Sequence, residues 1–149
     1  MDIEVKDNII LIDLSYFIFY RYYALIQWWK LAKPDDVLDN PSENEEFIKK
    51  FEKTFVDKFN EIPKNLKLKN FLIIGGKDCP RQDIWRNNLF NKYKEQRVYD
   101  DSFMGGYFFK LAYEEIIPKL CNILEYPSLE ADDCIALTSK YIKSKYPDK

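Results

Sequence analysis

The sequence predicts an α/β domain built on a parallel sheet, and three observations predict it. Two apolar runs, Asn8-Ile9-Ile10-Leu11-Ile12-Asp13 and Phe71-Leu72-Ile73-Ile74-Gly75-Gly76-Lys77-Asp78, have the length and isoleucine content of buried parallel strands. Stretches of helical periodicity alternate with them along the chain. Each run delivers an aspartate at its end, where open parallel sheets place their ligands.

Residues 8–13 form the first strand. Ser15 then stands where it could cap a helix of about 16–31, with Phe17, Phe19, Tyr20, Tyr23 and Trp28 as its sheet-covering aromatics. Lys33-Pro34-Asp35-Asp36 ends that helix, and 34–42 reads as a polar loop. Ser42 followed three residues on by Glu45 is a capping-box signature for a helix of about 43–60, with Phe47, Ile48, Phe51, Phe55 and Phe59 at helical spacing and Pro63 closing it. The second strand reads as 69–75. A helix over 82–97 carries Trp85, Leu89 and Tyr93 on one stripe, and 98–103 is a polar bend. A helix of about 104–120, a short strand near 121–126 and a last helix of about 129–145 complete the chain. The core face of that last helix reads Ala131, Ile135, Thr138 and Ile142. No repeat, low-complexity tract or internal boundary interrupts this order, so 1–149 reads as a single, incomplete domain.

Composition narrows the chemistry. The 149 residues are 46% apolar and 17% aromatic, enough for one folded core. Net charge is −2, so a nucleic-acid footprint must be local rather than global. There is no histidine, which removes Ser-His and Cys-His dyads and His-ligated metals. Cys79, Cys121 and Cys134 lack a zinc-type spacing or a disulfide framework, and reduced thiols are expected. The apolar run Ile9–Trp29 is interrupted by Asp13 and Arg21, which argues against a membrane span. The N-terminus lacks a signal-peptide pattern, so an intracellular setting, cytoplasmic or nuclear, is expected.

The acids are the most informative residues. Asp13 ends one strand, and Asp78 lies beyond the other, past Gly75 and Gly76, which allow close backbone approach. Each aspartate alone also reads as a cap for the helix or turn that follows. Glu130, Asp132 and Asp133 open the last helix, where dipole complementarity accounts for one or two acids but three exceed what capping needs. Five carboxylates without imidazole or a thiolate set point to a hard cation, Mg²⁺ or Mn²⁺, which would polarise phosphate and activate water in place of a histidine base.

Beside Asp78 the charge reverses. Lys77, Arg81, Arg86, Lys92, Lys94 and Arg97 outnumber Asp78, Asp83 and Glu95, leaving +3 in an acidic protein, with Trp85, Phe90 and Tyr93 interleaved. On a helix, Arg86 and Arg97 would lie three turns apart and nearly in line, a row suited to a phosphodiester backbone. A solvated helix face is the other reading of such a run.

These motifs resemble, in order and spacing, the N-terminal part of the 5′-nuclease superfamily: flap endonucleases, the 5′-3′ exonuclease domain of bacterial DNA polymerase I, and the phage 5′-nucleases. Ile10-Leu11-Ile12-Asp13-Leu14-Ser15 followed by Tyr20-Arg21-Tyr22-Tyr23-Ala24 is similar to that family's first aspartate motif. Asp78 through Trp85-Arg86 to Tyr93-Lys94-Glu95-Gln96-Arg97 is similar to its second aspartate and basic helix, and Leu129-Glu130-Ala131-Asp132-Asp133-Cys134 to its E-A-D-D motif. The resemblance implies a PIN-like three-layer α/β fold with a central parallel sheet, and a magnesium- or manganese-dependent hydrolase of DNA replication and repair. Its implied substrates are 5′ ends, flaps or nicked duplex, or an RNA-DNA hybrid. It also implies metal ligation by Asp13, Asp78, Glu130, Asp132 and Asp133. Lys94 and Arg86 would act on the scissile phosphate, and Arg81, Arg86, Lys94, Arg97 and Arg21 would bind nucleic acid.

The chain also departs from that family, in which a strand bearing Gly-Asp-x-Asp follows the E-A-D-D helix and a helix-hairpin-helix element comes later. The sequence stops at Lys149 before both. It therefore reads as truncated after the third strand and its helix: a split or shortened product, or a subunit whose active site a second polypeptide completes. A catalytically inactive nucleic-acid- or partner-binding remnant is the alternative. A haloacid-dehalogenase-like phosphatase wants Asp-x-Asp, and Ser15 stands where its second aspartate would be.

Overall fold

The computed structural model describes residues 3–94 and 103–149. The chain divides into two compact units. The first comprises Met1–Ser15, Asn70–Ser102 and Cys121–Lys149, and the second Tyr16–Lys69 and Phe103–Leu120.

The first unit holds the sheet. Strand β1, Asn8–Asp13, pairs in parallel with β2, Phe71–Gly76, which pairs in parallel with β3, Asn122–Leu124, giving the order β1-β2-β3. The register sets Asn8 opposite Phe71 and Asp13 opposite Gly76, and Gly76 opposite Leu124. Ile10, Ile12, Ile73 and Ile74 are buried, as the apolar runs require. The unit's long helix, α5, spans Ala131–Lys145 and buries Ala131, Cys134 and Ile142. Cys134 thus takes a core place not expected from the sequence, while Ile135 and Thr138 are only half-buried.

Gly76 allows α5 to begin where it does. A Cβ there would lie 2.8 Å from the Ala131 carbonyl oxygen, closer than real contacts permit. A Cβ at Gly75 would lie 2.4 Å from the Leu14 side chain. The two glycines therefore serve close approach.

The second unit is packed by rings. Helix α1, Leu14–Ala32, starts at the end of β1 and runs on into this unit, where Ile18, Tyr22, Leu25 and Trp29 are buried. Ser15 lies inside this helix and does not cap it. The buried stripe also differs from the expected aromatics: Phe19, Tyr20, Tyr23 and Trp28 are exposed. Helical spacing through Ile18 selects positions 22, 25 and 29 instead. Helix α2, Glu45–Asn65, buries Phe47, Phe51, Phe55 and Phe59 in one stripe. Its cap is Asn44, whose side chain accepts the Phe47 N–H at 3.0 Å, while Ser42 donates to Asn40 at 2.8 Å. Asn44 wins because the 3₁₀ turn Pro41–Glu43 carries Ser42 out of the capping position. Pro63 lies within the last turns of α2 and is buried there rather than closing it. Its missing N–H costs one bond near an end where bonds are already being lost, and the carbonyl of Pro63 accepts from Leu68 at 2.9 Å.

Two expected helices are broken. Over 82–94 there is a 3₁₀ turn, Arg81–Asp83, then the single-turn helix α3, Arg86–Leu89, then turns. Ile84 and Phe90 are extended and interrupt any continuous helix, and Asn87 and Asn88 are weak helix formers. Residues 95–102 lie outside the described residues, as does Arg97. The expected 104–120 helix is α4, Gly106–Leu111, continued by a π turn, Ala112–Ile116, and a 3₁₀ turn, Ile117–Lys119. Pro118 has no N–H to return to the preceding turn, so the ladder changes pitch ahead of it. Among the described residues no helix is long and apolar enough to cross a membrane.

Candidate metal centre

The site grows from three backbone hydrogen bonds. After β2 the chain runs beside the segment that leads into α5. The Lys77 N–H donates to the Leu124 carbonyl at 2.9 Å, Cys79 to Leu129 at 3.0 Å and Trp85 to Ser128 at 2.9 Å. Ser128 has a left-handed φ of 68°, which turns the chain into the helix. This lacing carries Asp78 to the head of α5, where its Oδ1 accepts the Ala131 N–H at 2.7 Å. It also carries Trp85 and Arg86 against the acids of that helix.

Glu130 is the N-cap of α5, and it forms a capping box with Asp133: the Glu130 N–H donates to Asp133 Oδ2 at 3.1 Å while the Asp133 N–H returns to the Glu130 carboxylate. Carboxylate oxygens of Glu130, Asp132 and Asp133 lie within 4.8 Å of one another, close enough to share one ion. Glu130 is 4% exposed, and Asp132 is open to solvent. The donor set is all oxygen, the kind that a hard divalent cation takes.

Basic and aromatic side chains already surround these acids. Arg86 makes a fork onto Asp133, Nη2 to Oδ1 at 2.6 Å and Nη1 to Oδ2 at 2.8 Å, and reaches Glu130 Oε2 at 2.7 Å. Lys94 pairs with Glu130 Oε1. The Tyr93 hydroxyl donates to Glu130 Oε2 at 2.8 Å and the Trp85 indole to Asp133 Oδ2 at 3.2 Å. The Arg86 guanidinium lies 4.6 Å over the Trp85 ring. Burial pushes the Glu130 carboxyl up, but hydrogen bonds from Lys94 and Tyr93 and the charges of Lys94 and Arg86 outweigh it, and the net direction is down. The Arg86 hydrogen bonds hold Asp133 below the usual carboxylate range against its own desolvation. Burial pushes the Cys79 and Cys134 thiols up, so neither is set up as a thiolate ligand, and all three cysteines are free.

The structure therefore brings Asp78, Arg86, Lys94, Glu130, Asp132 and Asp133 together from three separate stretches of sequence. Arg81 joins through the backbone, donating to the Lys94 carbonyl at 2.8 Å and holding Lys94 in a left-handed φ of 56°. Asp13 ends β1 opposite Gly76, on the strand next to the one that leads to Asp78. Arg21 belongs to the second unit, 4.8 Å over the Tyr20 ring. Trp85 and Tyr93 were not candidates from the sequence. Their only signal was adjacency to Arg86 and Lys94, because a ring N–H or hydroxyl is indistinguishable from a core aromatic in a pattern of letters.

Parallel strands running to acids, with a carboxylate cluster at a helix head, define an α/β protein with a hard-cation donor set. The T5 D15 protein, in a crystal structure obtained with metal ions, shares the fold, with a TM-score of 0.54 over 91% of this chain and 44% of that chain at 16% sequence identity. The likeness establishes the fold, and the chain spans less than half the length of the T5 D15 chain. No protein-family model matches the chain, and no curated protein matches it in sequence.

Proposed function

We propose that this chain is a divalent-metal-dependent 5′-nuclease unit, acting on DNA phosphodiester bonds at 5′ ends, flaps or nicks, or on an RNA-DNA hybrid. One observation carries the reading: Asp78 reaches the head of α5 beside the shared-ion cluster Glu130, Asp132 and Asp133. The motif resemblance and the fold shared with T5 D15, a protein crystallised with metal ions, support it. Asp78, Glu130, Asp132 and Asp133 would hold Mg²⁺ or Mn²⁺, with Asp13 contributing from β1. When bound, the ion supplies Lewis-acid stabilisation of phosphoryl charge and a more acidic water. Arg86 and Lys94 orient the scissile phosphate and balance its developing charge. Arg81, Arg97 and Arg21 would bind nucleic acid. The chain spans 44% of the T5 D15 chain, and in this reading a second polypeptide would complete the active site.

A second reading is a nucleic-acid- or partner-binding module without catalysis, favoured by the protein cations already seated on Glu130 and Asp133. A labelled 5′-flap duplex with Mg²⁺ or Mn²⁺, incubated with the chain alone and with any polypeptide encoded downstream, separates the two. Cleavage that vanishes in Asp78→Ala supports the nuclease. Binding without cleavage under every condition supports the module.

A further inference from the structure

We infer that Arg86 and Lys94 are exchangeable counterions: Glu130 and Asp133 accept a divalent cation only by giving them up, and so free them for an anionic substrate. The inference rests on the metal-site reading above and adds an order of events to it. A carboxylate offers about four lone-pair directions. Asp133 Oδ2 takes one Arg86 bond, the Trp85 indole and the Glu130 N–H, and its Oδ1 takes the other Arg86 bond. Glu130 fills its own with Lys94, Arg86, the Tyr93 hydroxyl and the Asp133 N–H. An ion approaching either acid therefore meets a protein donor at each carboxylate oxygen.

The donors differ in what it takes to move them. The two N–H groups belong to the capping box and cannot leave without undoing the first turn of α5. The indole and the phenol are neutral. Arg86 and Lys94 alone among these donors carry positive charge, and a dication within a few ångströms repels them. Neither side chain is sealed in the core. Arg86 is 28% and Lys94 25% exposed, so each has a path to solvent. Lys94 stays anchored by its backbone to Arg81 while its side chain turns. Once released, the Arg86 fork matches the two oxygens of a phosphate as well as it matches Asp133. The pairing thus keeps the basic side chains off nucleic acid until the acids hold an ion.

Calorimetric titration of MnCl₂ into the chain and into its Lys94→Gln and Arg86→Met variants tests this. Exchange predicts that each variant binds manganese about tenfold more tightly than the wild type, the order expected when one charged hydrogen bond no longer competes. Equal or weaker binding in both variants overturns the exchange and leaves the metal site standing. No binding by any of the three chains overturns the metal site and the exchange with it. Arg86→Met can also unfold the chain, because it strips a partner from buried Glu130. The wild type therefore provides a second readout, the Arg86 Nη–H resonances followed during a MgCl₂ titration. Exchange predicts that these protons lose their protection from solvent as the site fills. Protection that persists at saturating magnesium overturns the inference.

Discussion

Phe51 in the second unit and Glu130 in the first are both shut away from water, at 0% and 4% exposure, for opposite reasons. Phe51 is surrounded by rings, 5.7 Å from Phe55 and 4.9 Å from Phe108 between centroids, and its burial is favourable in itself. Glu130 is surrounded by donors, and its burial is unfavourable until Lys94, Arg86 and Tyr93 satisfy it. The first arrangement tolerates any partner of suitable shape. The second is specific to charge and hydrogen-bond count, and so it can respond to ions and pH. A stable core and a responsive site follow from the same degree of burial.

The comparison can be broken from the aromatic side first. Phe51→Ala should be the most damaging single change, costing about 3–5 kcal/mol through lost transfer energy and a residual cavity. A fall in the urea midpoint with an unchanged slope checks it. On the polar side, Asp133→Ala removes half of the capping box and the seat of the Arg86 fork. It should cost about 1–3 kcal/mol, less than Phe51→Ala because Arg86 retains partial access to water. Gly76→Ala tests the joint between sheet and helix. Its Cβ would press on the Ala131 carbonyl, a backbone atom that cannot swing aside, and about 1–3 kcal/mol of overpacking strain is expected in the same measurement.

Acid should separate the two regions without mutation. The folded carboxyls of Glu130 and Asp133 lie below their unfolded values, so their contribution to stability is complete above the unfolded range, near pH 4, and is lost as pH falls through the lowered folded values. The urea midpoint should decline with acid over that interval, and Asp133→Asn should flatten the decline. If wild type and Asp133→Asn decline in parallel, the pairing does not stabilise the fold. The smallest effect belongs to an exposed pair in the second unit. Lys58 and Glu61 meet at 3.1 Å with nearly half of each side chain in water, and Glu61→Gln should change stability by less than about 0.5 kcal/mol.

The two regions were unequally legible in the sequence. The Phe47–Phe59 stripe declared itself because helical burial repeats at fixed spacing, and each ring's neighbour stands four residues away. The strand of Asn8–Asp13 was equally plain from its isoleucines. The basic stretch was misleading: its spacing suited a straight helix, but Ile84 and Phe90 break it, and Arg86 finds its partners 44 and 47 residues on. The caps were missed where a neighbouring turn moved the capping residue, as with Asn44 in place of Ser42.

Taken alone, the amino-acid order determined the strands and the long helices Leu14–Ala32, Glu45–Asn65 and Ala131–Lys145, which acids stand near their ends, and that no imidazole is available to share the chemistry. Those properties are local, set by side-chain periodicity and residue type. Only the folded chain decided that Asp78 meets the head of α5, and that Arg86 and Lys94 face carboxylates. Such pairings depend on backbone hydrogen bonds between loops distant in sequence and on the room left by one missing Cβ at Gly76, and neither has a period that a linear pattern can reveal.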